Sequence, residues 1–149
     1  MPMLDLDIQV CHSLYSATNA LIRAYRPLLE PLGLTYPQYI VMLSLWGNDG
    51  VSVKTLSSHT RLDSGTLTPI LKRLEKQGLL TREIFEGDER QKRIVLSVKG
   101  RKLKKEAEQI PIKISCVMRD TLNGGGSSDE YLKNAKKLKQ LCEQLFHAL

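Results

Sequence analysis

The stretch Leu62-Asp63-Ser64-Gly65-Thr66-Leu67-Thr68-Pro69-Ile70-Leu71-Lys72-Arg73-Leu74-Glu75-Lys76-Gln77-Gly78 decides the fold. Leu67, Ile70, Leu71 and Leu74 recur at i, i+3, i+4 and i+7, which predicts a helix with one apolar stripe. Gly78 suits its C-cap. Pro69 removes one backbone hydrogen bond and should bend the helix, while Gly65, whose carbonyl loses that partner, adds no crowding. With Leu67 as zero on a wheel of about 100° per residue, Gly65, Pro69, Lys72 and Lys76 lie opposite the core, flanked by Thr66, Thr68 and Arg73. The outer face is short and polar at its start and basic at its end. Small hydroxyl residues at a helix N-terminus can reach base edges in a major groove, and basic residues farther along can hold phosphate. The N-terminus itself can take a phosphate on its free amides.

A hairpin follows. Leu80–Glu86 and Lys92–Val98 read as strands, with Ile94, Leu96 and Val98 turned inward and Glu86-Gly87-Asp88-Glu89 as the turn. Arg90, Lys92 and Arg93 crowd the tip, where Arg90 is placed to enter a minor groove.

Upstream, a helix is expected over 5–29, with Cys11, Leu14, Leu21, Tyr25 and Leu28 on one stripe. Pro31 and Gly33 break the chain. A strongly apolar helix over 37–47 carries Pro37 in its first turn. A short helix from about Val53 to Thr60 is capped by Ser52. Downstream, Leu103, Ala107, Ile110, Ile114 and Val117 are spaced 4, 3, 4, 3, the seam of a coiled coil, and predict one helix over 99–121 kinked at Pro111. Asn123-Gly-Gly-Gly-Ser-Ser128 reads as a flexible turn, and a last helix follows, capped by Ser128 or Asp129.

The expected fold is therefore mostly α with a small β-hairpin wing: a winged helix-turn-helix core whose N- and C-terminal helices form a homodimer interface. One domain spans 1–149. Residues 37–98 are its DNA-binding region, and 5–35 and 99–149 are its dimerisation region.

Composition agrees with a globular nucleic-acid binder. The 149 residues carry a net charge of +6 and are 42% apolar and 26% charged. Residues 51–110 hold 14 basic and 8 acidic side chains, against 2 and 4 in residues 1–50. A basic excess confined to one stretch is the footprint of a polyanion partner. No apolar run is long enough for a membrane span, and the start Met-Pro-Met-Leu-Asp-Leu-Asp lacks a signal pattern, so the expected compartment is the cytoplasm. His12, His59 and His147 are scattered and no metal set is spaced among them, so no metal or cofactor is expected. A thiol peroxidase would need an acid–base pair beside a cysteine, which the sequence lacks, and an enzyme is not expected.

Three cysteines, Cys11, Cys116 and Cys142, fall on predicted helices and read as thiols in a reducing compartment. Four of the five tyrosines, Tyr15, Tyr25, Tyr36 and Tyr39, lie near Cys11 in sequence, and their hydroxyls can donate to a thiolate. Cys11 and Tyr25, 14 residues apart, share a helix face but stand about 21 Å apart along it. Only if two copies of the helix cross antiparallel near Thr18 can Cys11 of one meet Tyr25 of the other.

These residues resemble a known family. Asp63-Ser64-Gly65-Thr66-Leu67-Thr68-Pro69, Leu71-Lys72-Arg73-Leu74-Glu75 and Asp88-Glu89-Arg90 are similar to the DNA-binding signature of MarR-type winged-helix regulators. Gln9-Val10-Cys11, Tyr15, Tyr25-Arg26-Pro27-Leu28-Leu29 and Leu34-Thr35-Tyr36-Pro37-Gln38-Tyr39 resemble its OhrR branch, which senses organic hydroperoxides. The resemblance implies a repressor that binds a pseudo-palindromic operator as a dimer through Ser64, Gly65, Thr66, Thr68, Pro69, Lys72, Arg73, Lys76, Arg90 and Lys92. It implies that Cys11 is oxidised by organic hydroperoxide or hypochlorite, that Tyr25 and Tyr36 of the partner chain hydrogen-bond its thiolate, and that oxidation releases the operator. In two-cysteine members the sulfenic acid is resolved by a cysteine on the helix after the wing, which makes Cys116 the candidate resolving residue and leaves Cys142 mainly to packing. Cellular thiols would reset the switch. Three other readings stay open: a MarR-type repressor relieved by a small phenolic or drug-like ligand, a thiol peroxidase whose basic patch is incidental, and architectural DNA binding without a switch.

Overall fold

A computed structural model of the chain describes residues 5–6, 9–85, 88–123 and 128–148. The described residues form two compact units, Met1–Glu108 and Gln109–Leu149.

The first unit opens with α1 (Val10–Leu29), a 3-10 turn (Glu30–Leu32) and α2 (Tyr36–Gly47). The helix expected from residue 5 starts at Val10, because Gln9 is extended and provides no side-chain cap. α2 begins cleanly: the Gln38 side chain accepts from the Thr35 backbone N–H at 2.8 Å, and Pro37 sits in the first turn. Gln38 is the one buried polar residue of the described core. Then come β1 (Val51–Ser52), α3 (Val53–Thr60) and α4 (Ser64–Lys76). Ser52 caps α3 by accepting from Thr55 N–H at 3.1 Å. α4 continues through Pro69 as one helix, and Gly78 ends it at φ +72°, a conformation glycine adopts without strain.

β2 (Leu80–Phe85) and β3 (Asp88–Leu96) form the wing. The sheet has three antiparallel strands in the order β1-β3-β2, with Leu80 opposite Leu96, Arg82 opposite Ile94, and Val51 on the other side of Ile94. The third strand, only two residues long, is too short to leave an alternation in the sequence. β3 also starts earlier than the sequence suggests, at Asp88, so Asp88 and Glu89 belong to the strand; residues 86–87 of the expected turn lie outside the described residues. Ile94 and Leu96 point inward as expected, but Val98 does not. It is 66% exposed and begins α5 (Val98–Ala107), because Ser97 accepts from Gly100 N–H at 3.0 Å and turns the chain into a helix.

The core of this unit collects Leu29, Tyr39, Val41, Met42 and Leu45 with Leu56, the α4 stripe Leu67, Leu71 and Leu74, and Leu80 and Ile94 from the sheet. One close approach decides a residue. A Cβ on Gly100 would stand 2.0 Å from the Leu79 carbonyl oxygen, so only glycine lets α5 lie against the end of α4.

The single helix expected over 99–121 is two. α5 stops at Ala107, and the second unit begins with α6 (Gln109–Asn123) followed by α7 (Ser128–Ala148). Pro111 has no N–H for the Ala107 carbonyl, so the break falls ahead of it and leaves Pro111 in the first turn of α6, where its missing donor costs nothing. Of the expected seam, Leu103, Ala107, Ile110 and Ile114 are buried, whereas Val117 is exposed. Residues 124–127 of the expected linker, and the side chains of Ser128 and Asp129, lie outside the described part.

Candidate functional site

The apolar stripe of α4 buries Leu67, Ile70, Leu71 and Leu74, which turns Ser64, Gly65, Thr66, Thr68, Pro69, Lys72, Arg73 and Lys76 to the surface. The helix is set by its cap. Asp63 Oδ1 accepts from the Thr66 backbone N–H at 2.8 Å, and its Oδ2 accepts from the Thr66 hydroxyl at 2.7 Å. These bonds, the side-chain one foremost, hold the Asp63 carboxyl below its ordinary range. A charged carboxylate therefore occupies the start of α4. The Thr66 amide is already used, and a second anion beside Asp63 would meet like charge.

The two threonines are also engaged. Thr68 Oγ1 donates to the Ser64 carbonyl at 2.7 Å, as Thr66 Oγ1 does to Asp63. Each hydroxyl proton is spent inward, and the outward lone pairs remain. Toward a base edge both side chains are thus acceptors, suited to the amino groups of adenine or cytosine.

On the wing, Lys92 is exposed. Arg90 lies in β3, and its side chain is outside the described ones. Arg82 was not singled out by sequence reasoning. It sits on the same sheet face as Ile94, and its Nε lies 3.2 Å from Glu75 Oε2 on α4. This ion pair ties wing to recognition helix. Register alone signals it, since a charge opposite an inward isoleucine needs a partner.

Asp49 is a second missed residue. Its Oδ1 accepts from Leu96 N–H and Gly50 N–H, each at 2.8 Å, and its Oδ2 from Arg101 at 2.9 Å. Trp46 Nε1 donates to the Gly100 carbonyl at 2.9 Å. Together these bonds lock α2, the sheet and α5.

The first helix, α1, carries Cys11. It is exposed and is the second residue of the helix, closer to the end than the sequence suggested. The positive end of the helix dipole lies beside it. Tyr15, one turn on, is 67% exposed. The tyrosines expected to act on Cys11 cluster elsewhere. The Tyr25 and Tyr36 rings lie 4.8 Å apart, and Tyr25 and Tyr39 lie 5.8 Å apart. Tyr39 is buried and Tyr36 half-buried, and burial pushes both phenols above their ordinary range, so they keep their protons at neutral pH. Because α1 is one helix from Val10 to Leu29, Cys11 and Tyr25 remain about 21 Å apart along it. The fold brings Tyr25 and Tyr36 together and keeps Cys11 of the same chain away from them.

A cavity of about 340 Å³ opens beside Tyr36, lined among others by Ile22, Arg26, Leu29, Leu34 and Pro37. Cys116 on α6 and Cys142 on α7 are both exposed, in the second unit. Among the described residues no cluster of ligands could hold a metal ion, and no helix is long and apolar enough to cross a membrane.

Comparison with known proteins gives consistent results. The model of the transcriptional regulator SarA/Rot family matches residues 23–107. An organic hydroperoxide resistance transcriptional regulator of Bacillus subtilis (strain 168) is 45% identical over 108 residues, covering 72% of this chain and 74% of that protein. The HTH-type transcriptional regulator TtmR of Methylorubrum extorquens (strain PA1) is 51% identical over 107 residues, 72% of this chain but 55% of its own length. The structure of reduced AbfR bound to DNA superposes with a TM-score of 0.77 at 31% identity, over 96% of this chain and 94% of that one. AbfR is also known in overoxidised, DNA-bound and disulfide-formed states.

Proposed function

Because this chain belongs to the SarA/Rot type of MarR-family winged-helix transcriptional regulators, we propose that it is a repressor switched by oxidation of Cys11. Two copies bind a pseudo-palindromic operator through the outer face of α4 and through Arg90 and Lys92 of the wing. One observation carries the redox reading. Cys11 stands at the exposed start of α1, while Tyr25 and Tyr36 sit paired 4.8 Å apart near the other end of the same helix. An antiparallel second copy of α1 brings each thiol to the other chain's phenols. Val10, Leu14 and Tyr15 are exposed around Cys11, which is the surface such a crossing would cover. On this reading 5–35 and 99–149 belong to the dimer and 37–98 to DNA.

The chemistry balances with one oxidant. The Cys11 thiolate attacks the distal oxygen of an organic hydroperoxide; the O–O bond breaks, an S–O bond forms, and the alkoxide leaves and takes a proton as the alcohol. The thiol of Cys116 then displaces water from the sulfenic acid to give a disulfide, and two equivalents of cellular thiol restore both cysteines. Sulfur bearing oxygen no longer accepts the same phenol hydrogen bonds, so the α1 contact rearranges and the recognition helices leave their spacing. The chain acts once per oxidation rather than as a turnover enzyme, and resides where DNA is.

The test is operator affinity of the reduced protein before and after about one equivalent of cumene hydroperoxide per thiol, and again after dithiothreitol, on a duplex selected by the reduced protein. Wild type should release DNA and recover it; Cys11→Ser should stay bound throughout. Cys116→Ser should lose the intersubunit disulfide band on non-reducing gels. Retention of DNA by wild type with Cys11 demonstrably oxidised would overturn the switch. The cavity beside Tyr36 would then favour the second reading, relief by a small ligand such as a phenol, to which Cys11→Ser would respond as wild type does.

A further inference from the structure

The basic excess of residues 51–110 is larger than the recognition helix and wing use. Five of its 14 basic residues, Lys99, Arg101, Lys102, Lys104 and Lys105, lie on α5. On a wheel of about 100° per residue, Gly100, Leu103 and Ala107 mark the buried side. Arg101, Lys102 and Lys105 fall within about 60° of the opposite direction, and all three are exposed. The remaining cations are held at the flanks: Lys99 Nζ donates to the Gln77 carbonyl at 2.9 Å, and Lys104 Nζ to the Trp46 carbonyl at 3.2 Å. Arg101 is paired with Asp49 at 2.9 Å. No ion pair of Lys102 or Lys105 occurs among the described residues.

The position of this face matters as much as its charge. The start of α5 is bonded to the end of α4: besides the Lys99–Gln77 contact, Ser97 Oγ donates to the Gly78 carbonyl at 2.6 Å and Ser97 N–H to the Leu79 carbonyl at 3.0 Å. Lys72 and Lys76 on the outer face of α4 and Lys102 and Lys105 on α5 thus belong to one compact unit, joined where α4 ends and α5 begins. Residues 99–149 belong to the proposed dimer region, but pairing through this face of α5 would set these lysines against like charge, at a cost, so the dimer contact is left to the rest of that region. A polyanion would neutralise them and release counterions.

We infer that the outer face of α5, centred on Lys102 and Lys105, is a second phosphate-contact strip that holds duplex DNA flanking the operator half-site. It reads no sequence, since lysine ammonium groups on phosphate fix position only. Ten residues of helix span about 15 Å, or roughly four base pairs of flank on each side. The inference rests on the reading that α4 docks on operator DNA.

The experiment compares a minimal operator duplex with one extended by about ten base pairs at each end, using the reduced full-length protein over a salt series. Lys102→Gln/Lys105→Gln is run beside Lys133→Gln/Lys137→Gln, a control that removes equal charge from exposed positions of α7. Extension should tighten wild-type binding about tenfold at low salt and steepen the log K against log salt slope by about two per protomer. The α5 variant should lose both gains yet bind the minimal duplex within about twofold of wild type; the α7 control should keep both. Equal losses by the α5 variant on both duplexes, a retained extension gain, or no gain for wild type would each overturn the strip. Failure of wild type to bind even the minimal duplex is a separate result: it would sink the operator reading, and the strip with it.

Discussion

Gly100→Ala separates two opposing effects by sign. Alanine in place of a glycine inside a helix ordinarily stabilises by about 0.5–1 kcal/mol, because the unfolded chain loses freedom. At this position the added Cβ would lie 2.0 Å from the Leu79 carbonyl oxygen. The obstacle is backbone, and relief requires α5 to move by about 1 Å or more from the turn after α4. That movement strains the Trp46–Gly100 bond of 2.9 Å and the Ser97 cap on Gly100 of 3.0 Å. Overpacking costs about 1–3 kcal/mol, and two weakened hydrogen bonds add about 1 kcal/mol each. The steric side wins, and the net expectation is a loss of about 2–4 kcal/mol. Urea unfolding followed by far-ultraviolet circular dichroism reads it, with reductant present and protomer concentration held equal, since a dimer's stability depends on concentration. The midpoint should fall with the slope unchanged. A stabilised variant, or one within 0.5 kcal/mol of wild type, would refute the claim that α5 is pressed onto the Leu79 carbonyl.

Asp63→Ala should weaken operator binding about tenfold or more while leaving the sheet intact, because Thr66 loses both bonds that hold the start of α4; binding isotherms with a two-dimensional NMR spectrum check it. The Asp63 carboxyl is depressed, so its contribution is complete above the ordinary carboxylate range and disappears as pH falls through the lower, folded value; a titration of its side-chain carbon should show a midpoint below that of a model aspartate. Tyr36 and Tyr39 are raised, so they favour the folded state fully below pH ~10 and lose that contribution as pH rises through their folded values. Absorbance at 295 nm should show late ionisation of these two, with unfolding advancing over the same alkaline range. Arg82→Ala should cost more in DNA affinity than Glu75→Ala, since removing the glutamate leaves the wing's own cation in place; fluorescence anisotropy on one operator duplex decides it.

Much of the architecture was legible in residues 62–98. A four-residue leucine–isoleucine stripe, an aspartate before it and a glycine after it fix a helix by local rules, and the alternation of Ile94 and Leu96 fixes the register of the wing. What escaped was set by contacts between distant segments. β1 is two residues long and exists only because β3 is beside it. Val98 alternates correctly for a strand, but the Ser97 cap outbids the alternation. The seam from Leu103 to Val117 reads as one helix because heptad spacing is blind to Pro111's missing donor, and the chain breaks at Glu108 instead.

The site divides the same way. The exposed face of α4 follows from the wheel, and the structure turns all seven of its residues outward, with Ser64 beside them. The inward donation by Thr66 and Thr68 does not follow from the wheel, because each hydroxyl chooses a partner only once Asp63 and the helix carbonyls are in place. The 14-residue interval between Cys11 and Tyr25 was readable, and an unbroken α1 preserves it. The tilted contact of Tyr25 with Tyr36 was not readable, since it depends on the turn at Pro31 and Gly33 that brings α2 against α1. Asp49 and Arg82 left no motif, because each acts by joining three elements or two rather than by a local pattern.

The central claim is that the sensing site is built from two chains, with the thiol from one and the phenols from the other. Subunit mixing tests it directly. Protomers carrying Cys11→Ser are combined with protomers carrying Tyr25→Phe/Tyr36→Phe, and the rate of Cys11 oxidation by cumene hydroperoxide is followed in the purified heterodimer. In that heterodimer the one remaining Cys11 belongs to the phenylalanine chain and faces the intact tyrosines of the serine chain. The account predicts oxidation at the wild-type rate, well above that of the phenylalanine homodimer. A heterodimer no faster than the phenylalanine homodimer would contradict it and return the site to a single chain.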